Sequence, residues 1–355
     1  MEMESGTFDA LDLRLLAALE INGRASFSTL AAVLGTSDQT IARRYRRLCA
    51  EGGLRVVAVR DAERLGRDQW MLRLRCVPDT ASSIADALAK RPDTAWIGLA
   101  SGGTEVICMT RPRRPGDHDE LLLAKLPRTP SVVEIRAHQL LHRFYGGPTG
   151  WLGKFGALTA QETQALRPAG PEVPAGPAAP DGPAGPAGPS ALERPAGPER
   201  PGPVAVIEPG DEALLDALEA DGRATYPELA RATGRSESAV KRRLTALLAS
   251  GAAYIDVEYH SEILGYPLAA VLWITAAPHA LHEVGQALAG HEQIAFASAT
   301  AGPSNIVVTA VARGTADLYA YLSGPLGRLP GVEHVEATPF LRRVKQLTYR
   351  LPGRG

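Results

Sequence analysis

Three cysteines in 355 residues, Cys49, Cys76 and Cys108, stand singly and without metal-ligand spacing, which excludes a disulfide framework or a paired-cysteine metal site. Cys49 and Cys76 lie among apolar neighbours and read as small core residues. No apolar run reaches the roughly 18–20 residues that a bilayer requires. The N-terminus is acidic and lacks a signal-peptide core, so the expected location is cytoplasmic with no membrane partner. A formal net charge of −1 excludes blanket adhesion to nucleic acid and confines any DNA-binding surface to a local patch. The eight histidines are scattered, and no HExxH, nucleophile elbow or phosphate loop occurs. No catalytic residue, metal or cofactor is therefore expected.

What the chain does contain is one segment twice. Residues 12–52 slide onto 211–251 without a gap, and 18 of the 41 positions are identical. The identities fall on apolar anchors, glycines and an Arg-Arg pair, so the repeated object is a fold with a charged face. Its period is far above the 20–50 residues of solenoids and marks a duplicated domain pair. Between the copies, residues 168–203 hold 12 of the 28 prolines. That stretch favours polyproline II without a core and spans on the order of 100 Å when extended.

Periodicity divides each half into two parts. Residues 9–59 and 208–257 read as three helices followed by a short strand. Leu11, Leu15, Leu16 and Leu19 share one face of the first helix, Ser28–Leu34 forms the second, and Ser37 caps the third. The remainder gives the order β-α-β-β-α-β in both halves, with hairpins at Gly102-Gly103 and its counterpart. That order predicts a ferredoxin-like split βαβ sandwich, one sheet face covered by helices and the other free to meet a partner. A short stretch at 158–166, capped by Thr159, closes the first half. Arg73 and Arg75 share a strand face, with Leu272 and Ile274 placed as their counterparts. Glu105 and Glu134 are their expected partners, and an anionic effector is the competing reading.

The pattern resembles the leucine-responsive regulator (Lrp/AsnC) family. The marks are the helix ending NGRAS (DGRAT in the second copy), the S-x-x-T/A-V/I-x-R-R helix and the short wing strand that follows it. The resemblance covers nearly all of 9–145 and 208–350. It implies an α+β chain with two winged helix-turn-helix domains, each followed by a ferredoxin-like sensing domain. The boundaries are 1–60, 61–150, a connection over 151–207, then 208–258 and 259–355.

It also implies a bacterial-type transcription regulator that binds double-stranded DNA as an intramolecular pseudo-dimer and assembles further through its sensing domains. A recognition helix lies in the major groove with its N-terminal residues at base edges. The candidate DNA contacts are therefore Ser37, Asp38, Gln39, Thr40, Arg43, Arg44 and Arg47. Ser236, Glu237, Ser238, Ala239, Lys241, Arg242 and Arg243 are the second set. Arg44 and Arg243 carry an alternative role, pairing with Asp12 or Asp211 to orient the motif.

In the family, small effectors, usually amino acids, bind near the loop between the second and third strands. Here those loops contain Ser101, Gly102, Gly103 and Thr104 in one half and Gly302, Ser304 and Asn305 in the other. With Arg73 and Arg75 they form the candidate effector site, although the Gly-Asp-x-Asp-like pattern of many members is absent. Sirohaem decarboxylases resemble the same architecture and provide a rival enzyme reading. Their His-Tyr-Arg run and Asn-Leu-Trp-Phe strand are replaced here by Gly98–Ser101 and Val106–Met109, and by Ser298–Ala301 and Ile306–Thr309. A third reading is a partner of another regulator that does not itself bind DNA.

Overall fold

A computed structural model of the chain describes residues 8–114, 116–167, 205–348 and 351. The proline-rich stretch at 168–203 lies outside the described residues.

Three helices open the chain: α1 (Ala10–Ile21), α2 (Phe27–Leu34) and α3 (Asp38–Glu51). Asp9 caps α1 by accepting from Leu11 and Asp12 backbone N–H groups, and the Asp12 carboxylate returns a bond to Asp9 N. Ser26 caps α2, which ends at Gly35 in the left-handed conformation, φ 67°. Ser37 then caps α3 through Thr40 N. Leu15, Leu16, Leu19, Leu30, Ile41 and Leu48 fill the space between the helices. Cys49, one position past Leu48, is turned outward and exposed, so the core reading holds for Cys76 and fails for Cys49.

The second triplet is α7 (Glu212–Ala220), α8 (Tyr226–Thr233) and α9 (Glu237–Ala249), capped by the equivalent Thr225 and Ser236. Between the triplets, Leu152–Phe155 and α6 (Ala160–Leu166) fold back over the first head. Thr159 caps α6 in a reciprocal box with Glu162, as its sequence position predicts.

The strands after α3 and α9 do not stay with their own heads. Strand β1 (Arg55–Arg60) pairs antiparallel with β6 (Ala253–Glu258) over six residues, with Val57 opposite Asp256. Val57 and Asp256 are equivalent positions in the repeat, so the pseudo-two-fold axis passes between them. The expected wing is thus half of a two-stranded sheet shared by both halves.

The first half continues with β2 (Trp70–Cys76), α4 (Ala81–Ala89), β3 (Thr94–Ala100), β4 (Glu105–Thr110), a short helix α5 (Asp117–Asp119) prolonged by π- and 3-10 turns, and β5 (Val132–Tyr145). The second gives β7 (Leu268–Ala276), α10 (Leu281–Gly290), β8 (Ile294–Thr300), β9 (Ile306–Ala312), α11 (Thr315–Tyr321) and β10 (Val332–Lys345). Each helix-covered sheet face has its own core, with Leu72, Leu74 and Leu88 in one half and Leu272, Ile274 and Leu288 in the other. The remaining faces meet, where Met71, Ile107 and Met109 pack against Val271, Trp273 and Val307.

Their edges also join. Strands β5 and β10 have 14 residues, against seven to nine in the strands beside them. The first part of β5 pairs with β2, and Leu140–Tyr145 overhangs to pair with β8. Strand β10 does the same between β7 and β3. The result is a closed eight-stranded barrel, order β10-β3-β4-β2-β5-β8-β9-β7, which leaves neither sheet an open edge. The sheet face free of helices thus meets its partner within the chain, the other half, and further assembly cannot use it.

A candidate DNA interface and the clamp between its heads

On α3, Ser37, Asp38, Gln39 and Arg43 are exposed and Thr40 is half-buried. On α9, Ser236, Glu237, Ser238, Lys241 and Arg242 are exposed. The arginine pair that both copies share divides its work. Arg44 donates to Asp9 at 2.7 Å and lies 3.0 Å from Asp12, a carboxylate with no solvent exposure. Arg243 grips the equally buried Asp211 with two bonds, 2.8 and 2.5 Å. Burial pushes the Asp211 carboxyl upward, but the Arg243 and backbone hydrogen bonds outweigh it and hold the group below the ordinary carboxylate range.

These bonds tie the third helix of each head to the start of its first helix. Arg47 adds a bond to Asp12 and lies over the Phe8 ring. Arg43, Lys241 and Arg242 make no ion pair among the described residues and point to solvent. Arg46 donates to the Ala42 carbonyl of its own helix.

The Gly-Arg dipeptide of NGRAS and DGRAT has a different task. Arg24 donates to the carbonyls of Gly222 and Ala224, and Arg223 donates to those of Gly23 and Ala25. Each arginine also covers an aromatic ring of the other head, Arg24 on Tyr226 and Arg223 on Phe27 and Tyr45. Gly222 N donates to Val56 O at 2.7 Å, and a Cβ at Gly222 would sit 2.8 Å from the Val56 backbone. The heads are thus clamped reciprocally at loops whose side chains must be absent. The repeat identities flagged these residues, but a single copy could not show that their partner is the other copy.

One equivalent pair of acids is treated very differently. Glu219 on α7 bonds Arg60 at 3.0 Å, Arg111 at 2.9 Å and Arg113 at 2.8 Å. Its counterpart Glu20 on α1 meets Tyr259 where Arg60 would be; in the repeat Val311 stands for Arg111, and Arg313, which stands for Arg113, lies over the Tyr266 ring instead. Glu20 accepts from the Tyr259 hydroxyl and Leu152 N, each at 2.8 Å. Burial without a cation pushes its carboxyl up to about 8.

The candidate effector residues fall in two places. Ser101, Thr104, Arg73 and Arg75 line a surface pocket of about 190 Å³ with Glu105, Glu134 and Arg136. Arg73 pairs with Glu105 at 2.7 Å and with Glu336 of the other half at 2.7 Å, and Arg75 lies 3.4 Å from Glu134. Three arginines meet three glutamates there, so the pocket carries no surplus positive charge for an anion. Gly102 and Gly103 supply the positive-φ turn, 67° and 86°.

In the other half Asn305 bonds both the N–H and C=O of Ala276, Ser304 accepts from the Thr300 hydroxyl, and Gly302 backs onto His138. The register of the sheets also moves one equivalence. Arg73 pairs with Ile107 as Trp273 pairs with Val307, so Trp273, not Leu272, is the counterpart of Arg73. Likewise Thr275, not Ile274, matches Arg75. The one-residue insertion precedes this strand instead of following it. Arg73 stacks on its own counterpart, 4.8 Å from the Trp273 ring centre.

The AsnC-type helix-turn-helix domain profile matches residues 8–48 and 210–248, and the Lrp/AsnC ligand binding domain profile matches 269–349. The chain is 28% identical over 141 residues to the HTH-type transcriptional regulator LrpA of Pyrococcus abyssi, covering 39% of this chain and 100% of that one. It is 28% identical over 139 residues to the regulator FL11 of the same organism, covering 39% and 91%. Each relative is the length of one half. Both come from archaea, so these relatives do not support the expected bacterial assignment. Across both halves, the fold is similar to siroheme decarboxylase NirDL, with a TM-score of 0.58, 13% identity and 96% and 93% coverage. The same enzyme with an iron-uroporphyrin III analogue gives 0.60 at 12% identity, covering 96% and 94%. At that identity the likeness concerns fold alone. No helix among the described residues is long and apolar enough to cross a membrane. The chain thus carries two AsnC-type helix-turn-helix domains and an Lrp/AsnC ligand binding domain, the domains of Lrp/AsnC-type regulators, in an arrangement consistent with tandem duplication.

Proposed function

We propose that the protein is a sequence-specific DNA-binding transcription regulator that works as an intramolecular pseudo-dimer, each half a head at 1–60 or 208–258 followed by a ferredoxin-like sensing module at 61–150 or 259–355. The observation that carries this reading is the division within the shared arginine pair. Arg44 and Arg243 anchor the helices to Asp12 and Asp211, while Arg43 and Arg242 make no ion pair among the described residues and lie on the exposed face beside the N-terminal turn. A helix presented in that way suits the major groove, with Asp38, Gln39 and Thr40, or Glu237, Ser238 and Ala239, at base edges. The copies differ at these three positions, which suits an imperfect palindrome.

Arg43→Ala or Arg242→Ala weakens binding to the cognate site by about 1–3 kcal/mol if the arginine reads a base. A gel-shift titration with unchanged affinity in both variants removes the assignment. Leu141 and Leu341, equivalent residues 58% and 68% exposed on β5 and β10, support self-association outside the barrel. Sedimentation of Leu141→Lys with Leu341→Lys checks it.

The likeness to NirDL over both halves favours a second reading, a decarboxylase on this architecture. Against it, neither half carries the His-Tyr-Arg run or the Asn-Leu-Trp-Phe strand. An absorbance scan after incubation with sirohaem separates the two, since a regulator leaves the spectrum of the free tetrapyrrole unchanged.

A further inference from the structure

Between the β1–β6 sheet and the mouth of the barrel lies a cavity of about 210 Å³. An apolar cavity of roughly 150 Å³ accommodates benzene, so this one has room for a single-ring molecule. Its apolar wall includes Met71, Met109, Val271, Phe296 and Phe340. The cations that reach it are already engaged. Arg111 is held by Glu219, Arg143 by Asp61 at 2.7 Å and Arg343 by Glu262 at 2.8 Å. Lys345 donates to the Arg91 carbonyl.

The acids are not matched in the same way. Asp256 lines the cavity and, among the described residues, accepts only from its own neighbour Val257 N, at 2.7 Å. Glu20 lines it too and, among the described residues, is met by the Tyr259 hydroxyl and the backbone N–H groups of Trp151 and Leu152. Neither carboxyl makes an ion pair among the described residues. The repeat shows that this is a departure specific to one copy. The equivalent of Asp256 is Val57, and the two face each other on the axis. Of the three arginines around Glu219, Arg60 and Arg111 have Tyr259 and Val311 as equivalents, and Arg313, the equivalent of Arg113, bonds the Tyr266 hydroxyl instead. Two carboxyls that no cation bonds among the described residues, although Arg111 acts on Asp256 from a distance, are acceptors left for a positive group in a cavity with apolar walls.

We propose that this central cavity binds a small organic amine with an apolar, ring-sized body, its ammonium group held by Asp256 and supported by Glu20. The site is distinct from the loop pocket at Arg73 and does not rest on the DNA-binding reading. It touches α1 of the first head through Glu20 and both strands of the shared sheet, so an occupant would bear on the elements that set the spacing of the heads. Burial pushes Asp256 up to about 7 and Glu20 up to about 8. Other charged groups around the cavity include Glu258, Arg60, Asp61 and the cations above. The acids are ionised above these values, so binding of the ammonium tightens as pH rises from 6 to 8.

The test is calorimetry on the full chain with 2-phenylethylamine, its neutral analogue 2-phenylethanol and the anion 3-phenylpropionate. The proposal expects the amine to bind more tightly than the other two, and Asp256→Asn to weaken it by about ten-fold or more. Asp256→Val installs the residue that the other strand already carries, so it should fold, melt at a higher temperature and lose amine binding. No heat from any probe, equal binding of amine and anion, or undiminished amine binding in Asp256→Val overturns the proposal.

Discussion

The two heads share a scaffold and differ in how they are held. The first is packed on one side by the connection after β5. Trp151, Leu152 and Leu166 join its core, Arg14 pairs with Glu162 at 2.5 Å, and Asn22 bonds the Leu166 carbonyl. The second head is tied to the other half by charge. Arg60 of β1 reaches Glu212, Asp216 and Glu219 on α7, and Arg111 and Arg113 reinforce Glu219. One head is held mainly by apolar packing around a neutral acid, the other by a buried ion cluster. A duplication that began symmetric has kept the clamp at Arg24 and Arg223 and let the supports diverge.

The sharpest way to break that comparison is to remove each acid in turn. Glu219→Gln leaves two buried arginines short of a partner and should cost about 3–5 kcal/mol. Glu20→Gln should cost under about 1 kcal/mol at pH 7, because the carboxyl is already largely protonated there. Chemical denaturation of both variants checks it, and equal losses would mean that the two supports are equivalent.

The same contrast has a pH signature. A carboxyl whose folded-state value is raised binds its proton more tightly when folded. Its contribution is fully present below the unfolded value and is lost as pH rises through the folded one. Glu20 therefore lowers stability between about pH 5 and pH 8, and Glu20→Gln should flatten that fall. A stability profile with the same slope in both proteins would contradict the assignment.

The clamp should respond symmetrically. Arg24→Ala and Arg223→Ala each strand two carbonyls and should cost about 1–3 kcal/mol, by similar amounts. A large inequality in thermal melts would show that the clamp has diverged with the supports.

Smallest, and most informative about the reading surface, is the difference between Arg44→Ala and Arg43→Ala. The first should lower melting temperature with DNA affinity following. The second should leave the melt unchanged and relax sequence preference, with log K falling by about 0.9 per phosphate contact for each tenfold rise in salt.

Much of this was legible in the chain itself. The caps at Ser37, Ser236 and Thr159, the leucines of α1, and the strand and helix order of both halves all follow from local chemistry and periodicity. The pairing of Arg73 with Glu105 was within reach because strand neighbours can be counted. The rest depends on contacts between halves. That β1 would pair with β6, that β5 and β10 would overhang to close a barrel, and that Arg24 would seek the Gly222 carbonyl are choices of partner, which no local pattern specifies. The counterpart of Arg73 was misplaced by one residue because β7 is apolar on both faces and gives the alignment no alternation to hold it.

The most direct test of the central claim is selection of bound duplexes from a random pool by the full chain, beside the Arg43→Ala, Arg242→Ala double variant. The account predicts enrichment of two related but unequal half-sites about one helical turn, or a multiple of it, apart, and loss of that enrichment in the double variant. No enrichment by the unmodified chain, or the same sequences enriched by the double variant, would contradict it.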